Sequence, residues 1–212
     1  MTSVILYGLV RSVYTRIARL ALEEKGVAYS LQEVEIFGPA GVPADHLERH
    51  PFGRIPVLVR DGFTLYETSA ITRYVDEAFP GPLLQPVGAE ERARLNQVIG
   101  VMDSYAYRPM VWGVFVSRVL NGEAPDGPQV SAALQASAKC LDALERIVTP
   151  RPYLLGDQPS LADLHAFPIL RYFALAPEGS ALLAQYDRLD TWMRAMSSRD
   201  SVVRTRGQFE PV

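Results

Sequence analysis

The 212-residue sequence predicts an α/β domain over residues 1–79, a linker over 80–88 and an all-α domain over 89–212. Three observations predict it. Short β-prone runs alternate with helical spacing only before residue 80. A proline-rich stretch, Pro80-Gly81-Pro82-Leu83-Leu84-Gln85-Pro86, then interrupts every periodic pattern. From Ala89 onward apolar residues recur at helical spacing, and strand alternation does not return.

Residues 4–7 form a short apolar run that reads as a buried strand ended by Gly8. Ser12 stands where it can cap the next helix, whose apolar positions are Val13, Ile17, Leu20, Ala21 and Leu22. Gly26 falls just past its end, in the position that favours a left-handed backbone. Residues 29–36 alternate and read as a second strand. Strand, helix, strand is a βαβ unit, so these strands should run parallel. A loop over 38–43 and a weakly specified helix over 44–49 follow. Asp61-Gly62 between two β-prone runs is a strong hairpin signal. Glu67 and Thr68 then open a third helix that should end near Phe79.

In the second half, 90–120 reads as one long helix, with Pro109 expected to kink it near 105–108. A loop over 121–128 leads to a helix over 130–148, broken at Pro150-Arg151-Pro152. Ser160-Leu161-Ala162-Asp163 is a capping box in which Asp replaces the usual Glu. It opens a helix carrying Leu164, Phe167, Ile169, Leu170 and Phe173. Residues 182–197 suggest two shorter helices with Trp192 and Met193 in the core. Nothing local places residues 202–212.

The hydrophobic share of 48% is ample for a core. A net charge of −3 gives no reason to expect nucleic acid or an anionic membrane as partner. No apolar run is long enough to span a bilayer, and the first residues do not read as a signal peptide. The single cysteine, Cys140, excludes an internal disulfide framework and reads as a buried apolar residue. No Cys/His cluster has metal-ligand spacing, so no metal is expected. The cytoplasm is the default compartment.

The segment His50-Pro51-Phe52-Gly53-Arg54-Ile55-Pro56-Val57-Leu58, the Asp61-Gly62 turn and Glu67-Thr68-Ser69-Ala70-Ile71 carry two devices for holding a small peptide. A proline just before a strand can be cis, which turns the preceding backbone outward to pair with an extended ligand, although trans is the commoner state of such bonds. A helix N-terminus holds a carboxylate on its free N–H groups. These motifs resemble the glutathione-binding half of cytosolic glutathione transferases. The Ser160–Asp163 cap after Leu155-Gly156-Asp157 extends the resemblance to nearly the whole chain. It implies a thioredoxin-like N-terminal domain, glutathione as co-substrate, a small hydrophobic electrophile and a homodimer. The lack of Cys-x-x-C near the first helix argues against redox exchange.

The family's activity needs a thiolate, and Gly8-x-x-x-Ser12-x-x-Thr15-Arg16 resembles the serine-type (phi, theta and delta-like) classes. The resemblance implies that Ser12 donates to the glutathione sulfur. Tyr7, at the end of the first strand, is the runner-up, and Tyr14 the third hydroxyl. It further implies a cis Ile55–Pro56 bond, with Ile55 pairing the cysteinyl unit. Glu67 should take the γ-glutamyl amine and Thr68 the adjoining carboxylate, with Arg54 in the same site. His50 stands where the family usually has Asn, and the loop 37–42 lacks the usual Lys for the glycyl carboxylate. Arg54, Arg11, His46 and His50 are the substitutes on offer. Tyr107, Met110, Val111 and Phe115 form one helical stripe and are the candidate electrophile site, between domains, or else core. Two rival readings stand: another glutathione-dependent reaction (isomerisation, dehalogenation, ether cleavage, peroxide reduction), or a non-catalytic binding module.

Overall fold

The computed structural model describes residues 3–124, 127–149 and 151–210. Pro125 and Asp126 of the expected loop, the expected break at Pro150 and the chain ends at 1–2 and 211–212 lie outside them. The chain forms two compact units, one running to Leu83 and resuming at Asp200, the other Leu84–Arg199. The boundaries expected from sequence, 1–79, 80–88 and 89–212, differ from these chiefly at the far end.

The first unit contains β1 (Val4–Gly8), α1 (Val13–Glu24), β2 (Ser30–Glu33), α2 (Ala44–Arg49), β3 (Val57–Arg60), β4 (Phe63–Tyr66) and α3 (Thr68–Ala78). The sheet order is β2-β1-β3-β4. β1 and β2 are parallel, as a βαβ unit requires, and the other pairs antiparallel. β2 is shorter than the alternation over 29–36 suggested, and its residues are mostly exposed, because it lies at the sheet edge. Asp61 and Gly62 both take positive φ, 48° and 87°, the backbone of a two-residue hairpin whose twist matches the strands. α1 and α3 pack together through buried faces that include Ile17, Ala21, Ile71 and Val75. Lys25, buried beyond the end of α1, donates to the Asp76 carboxylate at 3.1 Å and to the carbonyls of Asp76 and Pro82. It thereby ties α1, α3 and the chain leaving α3 to one ammonium.

The second unit starts with α4 (Ala89–Val101). Beyond it the helix does not stop at Pro109. It continues as π-helical stretches, Met102–Ala106 and Arg108–Leu120. The Asn121 N–H, for example, donates to the Val116 carbonyl five residues back. A proline has no N–H for the i−4 ladder, and a widened ladder is one way for a helix to pass it. Then come α5 (Pro128–Ile147), α6 (Leu161–Phe173), α7 (Pro177–Leu183) and α8 (Asp187–Ser197). α6 is buried along almost its whole length and packs against α4, the π stretches and α8. Asp163 caps it with a carboxylate that collects four donors. Oδ2 accepts from Ser160 N–H and Ser160 O–H, and Oδ1 from Leu154 N–H and Trp192 Nε1–H. Burial pushes its carboxyl above the usual carboxylate range, and the donated bonds oppose that push.

After α8 the chain enters α9 (Asp200–Arg204), which belongs to the first unit. Arg204 pairs with Glu23 at 2.6 Å, and Arg19 donates to the carbonyls of Arg204 and Thr205. Glu210 pairs with Arg16, both side chains almost fully buried, and also accepts from Gly207 N–H. This return rests on ion pairs between residues nearly two hundred apart, so no local pattern announces it. Among the described residues no helix is long and apolar enough to cross a membrane.

Candidate functional site

Strand register brings the candidate residues of the first unit to one end of the sheet. Tyr7 pairs with Val57, and Val57 with Tyr66. One step further along each strand lie Gly8, Pro56 and Glu67. The turn leading to Ser12, the Ile55-Pro56 step and the start of α3 therefore share an edge. Two helix N-termini, those of α1 and α3, open there, and both favour negative charge.

At the α1 end, Ser12 is the N-cap. Its backbone is extended, and its hydroxyl oxygen accepts from the Thr15 N–H at 3.2 Å. Thr15 is fully buried, and its hydroxyl accepts from the Leu9 N–H at 3.3 Å. Gly8 is required by this packing, since a Cβ there would stand 2.3 Å from the Thr15 hydroxyl oxygen. A serine oxygen that accepts one bond keeps its own proton to donate. The cap role and donation to a ligand are therefore compatible.

Tyr7 is half-buried, with the Arg49 guanidinium 4.3 Å from its ring centroid. Its neighbours Glu33, Gly38–Gly41, Pro43 and Asp45 surround a cavity of about 490 Å³ on the β2 side of the sheet. Arg11 pairs with Glu35, whose carboxyl is held below its ordinary value, mainly by the Phe37 N–H and then by Arg11.

The Ile55–Pro56 bond is cis, as expected. Ile55 is buried, and among the described residues neither its N–H nor its C=O takes part in a backbone hydrogen bond outside the strands and helices. At α3, Glu67 is exposed and takes φ +70°, although it is not glycine. Such a conformation costs about 1–3 kcal/mol and tends to persist at functional sites. Its side chain makes no capping bond. Thr68, the first helical residue, is buried, and Arg54 is exposed.

Neither His46 nor His50 is held at the surface. His46 and His50 are buried at 0% and 2% exposure. His50 stacks on Tyr66 at 4.6 Å and accepts from the Phe52 N–H at 3.3 Å. Burial pushes its imidazole below its ordinary pKa. His46 contacts the Arg54 carbonyl at 2.8 Å. Both rings are built into the loop rather than held out to solvent.

In the second unit, Met110, Val111 and Phe115 are buried, and Phe115 packs edge-on to Tyr172 at 4.7 Å. Tyr107 is half-buried and accepts from the Trp112 indole at 3.1 Å. Cys140 is buried, and its thiol is pushed up by that burial. Sequence reasoning missed the Gly8–Thr15 packing, the Glu67 backbone and the burial of His46. Only the first had a signal, a glycine seven residues before a threonine at a strand-to-helix turn.

The family model for the glutathione S-transferase N-terminal domain matches residues 6–83, and that for the glutathione S-transferase C-terminal domain matches 127–195. The chain is 31% identical to glutathione S-transferase 1 of Zea mays, covering 97% of each chain. It is 31% identical to glutathione S-transferase F10 of Arabidopsis thaliana, covering 86% of each. A solved apo structure of glutathione S-transferase III superposes with a TM-score of 0.83 at 30% identity, over 99% of both chains.

Proposed function

The chain belongs to the glutathione S-transferase family, and from that premise we propose that its sheet-end site ionises glutathione at Ser12 and joins the sulfur to a small hydrophobic electrophile. One observation carries the assignment of Ser12. Its oxygen is already engaged by the Thr15 N–H, which fixes the side chain and leaves the hydroxyl proton free to donate.

A free thiol has a pKa of about 8.5, so little is ionised at neutral pH. A donor to sulfur favours only the charged form and lowers that pKa, and the α1 terminus adds a field of the same sign. The thiol proton leaves to solvent. The sulfur pair then forms the new bond to the electrophilic carbon, and a leaving group departs or a double bond opens. In this reading the rest of the site positions the tripeptide. The Ile55 backbone pairs with the cysteinyl unit, beside Pro56. Glu67 takes the γ-glutamyl amine, Thr68 and the α3 N–H groups take its carboxylate, and Arg54 adds positive charge at the rim. The electrophile stripe is Tyr107, Met110, Val111 and Phe115. Tyr107 is the member that meets a ligand without repacking the core. A homodimer working in the cytoplasm completes the proposal.

The test is thiolate absorbance against pH for glutathione bound to the parent, Ser12→Ala and Tyr7→Phe proteins. Ser12→Ala should raise the bound thiol's pKa by about one to two units, at 1.36 kcal/mol per unit. Turnover at neutral pH should fall, glutathione affinity should hold, and higher pH should restore part of the rate. A shift in the Tyr7 variant alone would make the enzyme tyrosine-type. Glutathione retention without turnover of any electrophile would favour the non-catalytic reading. Glu67→Ala and Thr68→Ala should each weaken glutathione binding by about 1–3 kcal/mol in isothermal titration. If both bind like the parent, the α3 end is not the γ-glutamyl site.

A further inference from the structure

The carbonyl just before the Ile55-Pro56 step is held by a histidine whose side chain has no other hydrogen-bond partner among the described residues. His46 lies in α2 and is fully buried. Its Nε2 lies 2.8 Å from the Arg54 carbonyl oxygen. A carbonyl only accepts, so the proton is on Nε2. The other ring nitrogen, Nδ1, is buried and has no hydrogen-bond partner among the described residues. A stranded buried nitrogen is unfavourable, and an apolar side chain would avoid it. The histidine is explained by what its Nε2 does.

The surrounding main chain shows what that is. The His50 N–H donates to the His46 carbonyl, and the Gly53 N–H to the His50 carbonyl, each at 2.8 Å. Gly53 closes that turn at φ +62°. These bonds brace residues 46–53 but stop short of Ile55. The His46 ring reaches one residue further, to Arg54. The Arg54 carbonyl belongs to the peptide unit that contains the Ile55 N–H. Fixing the carbonyl fixes the plane of that peptide and the direction of the N–H.

We propose that His46 is a positioning residue for glutathione, aiming the Ile55 backbone through the Arg54 carbonyl. The proposal rests on the reading of Ile55 as the partner of the cysteinyl unit. His50 differs in kind, since its Nδ1 serves the Phe52 N–H inside the turn.

The parent protein gives the first test. Nitrogen-15 imidazole shifts should place the His46 proton on Nε2. A ring protonated on Nδ1 alone cannot donate to Arg54 and overturns the proposal, whether or not any variant folds. The second test compares His46→Leu with His46→Gln, using glutathione and an activated aryl chloride. His46→Leu should raise the glutathione Kd and KM about tenfold, the size of one misplaced hydrogen bond. The aryl chloride KM should stay within about twofold. His46→Gln, which keeps an N–H on a planar amide, should recover most of the loss. Unchanged glutathione constants in His46→Leu, with only less active enzyme, would mean that the ring serves folding alone and would overturn the proposal. If the parent itself fails to bind glutathione, the reading of the site falls as well. Parent binding with an unaffected His46→Leu removes only the role of His46.

Discussion

At the scale of single residues, close approaches decide which side chains the first unit accepts. Gly8 and Thr15 are the sharpest case. Thr15 is fully buried and cannot swing away, so a methyl group at position 8 must displace it. Gly8→Ala should destabilise the protein by about 1–3 kcal/mol, the usual cost of overpacking, and denaturant unfolding reads it directly. Thiolate formation should suffer too, because the Thr15 N–H holds Ser12. A variant as stable as the parent would mean that the strand-to-helix turn has slack that these distances do not suggest. Ser12 itself was legible in the sequence, because a cap is a local event of known residue preference. The Glu67 backbone was not, since nothing in the residues around Glu67 requires φ +70° of a glutamate. The burial of His46 was missed for a related reason. A histidine in a weakly amphipathic six-residue helix looks like surface until the Arg54 carbonyl folds over it.

At the scale of elements, turn chemistry and caps carried the reading furthest. The Asp61-Gly62 hairpin and the Ser160–Asp163 cap stand where their residues pointed, and the Ile55–Pro56 bond is cis, as the resemblance implied. The cap does more than its motif says. Asp163 also holds the Leu154 N–H and the Trp192 indole, so it joins α6, α8 and the turn before α6. Asp163→Asn offers an N–H₂ group to one of the two donor pairs. Each donor stranded in this way should cost about 1–3 kcal/mol, and the urea midpoint should drop accordingly. An unchanged midpoint would show that the carboxylate is not the acceptor these four bonds require. Element ends were less legible. β2 is shorter than its alternation, because an edge strand can leave the sheet wherever side chains such as Glu33 find other donors. The passage of Pro109 by widened turns was also out of reach, since a kink is another way to accommodate a residue without an N–H.

At the scale of the whole molecule, the return of residues 200–210 to the first unit matters most, and a pattern of apolar spacing could not reveal it. One of its ties is the buried Arg16–Glu210 pair. Glu210→Ala leaves a guanidinium buried without its carboxylate and should cost about 3–5 kcal/mol in denaturant unfolding. Joint replacement by Arg16→Met and Glu210→Leu should recover much of that loss, because neither charge then needs compensation. If Glu210→Ala alone is neutral, the pair is not closed in solution. The tie also sets an order of events on the ribosome. Arg16 emerges early, and its carboxylate emerges only after the entire helical unit has been made. A nascent chain therefore carries an incomplete first unit, with a cation on α1 awaiting burial, through most of its synthesis. Folding of that unit should finish after translation has passed Glu210, so protease resistance of arrested chains should rise late and abruptly rather than at the 83-residue mark.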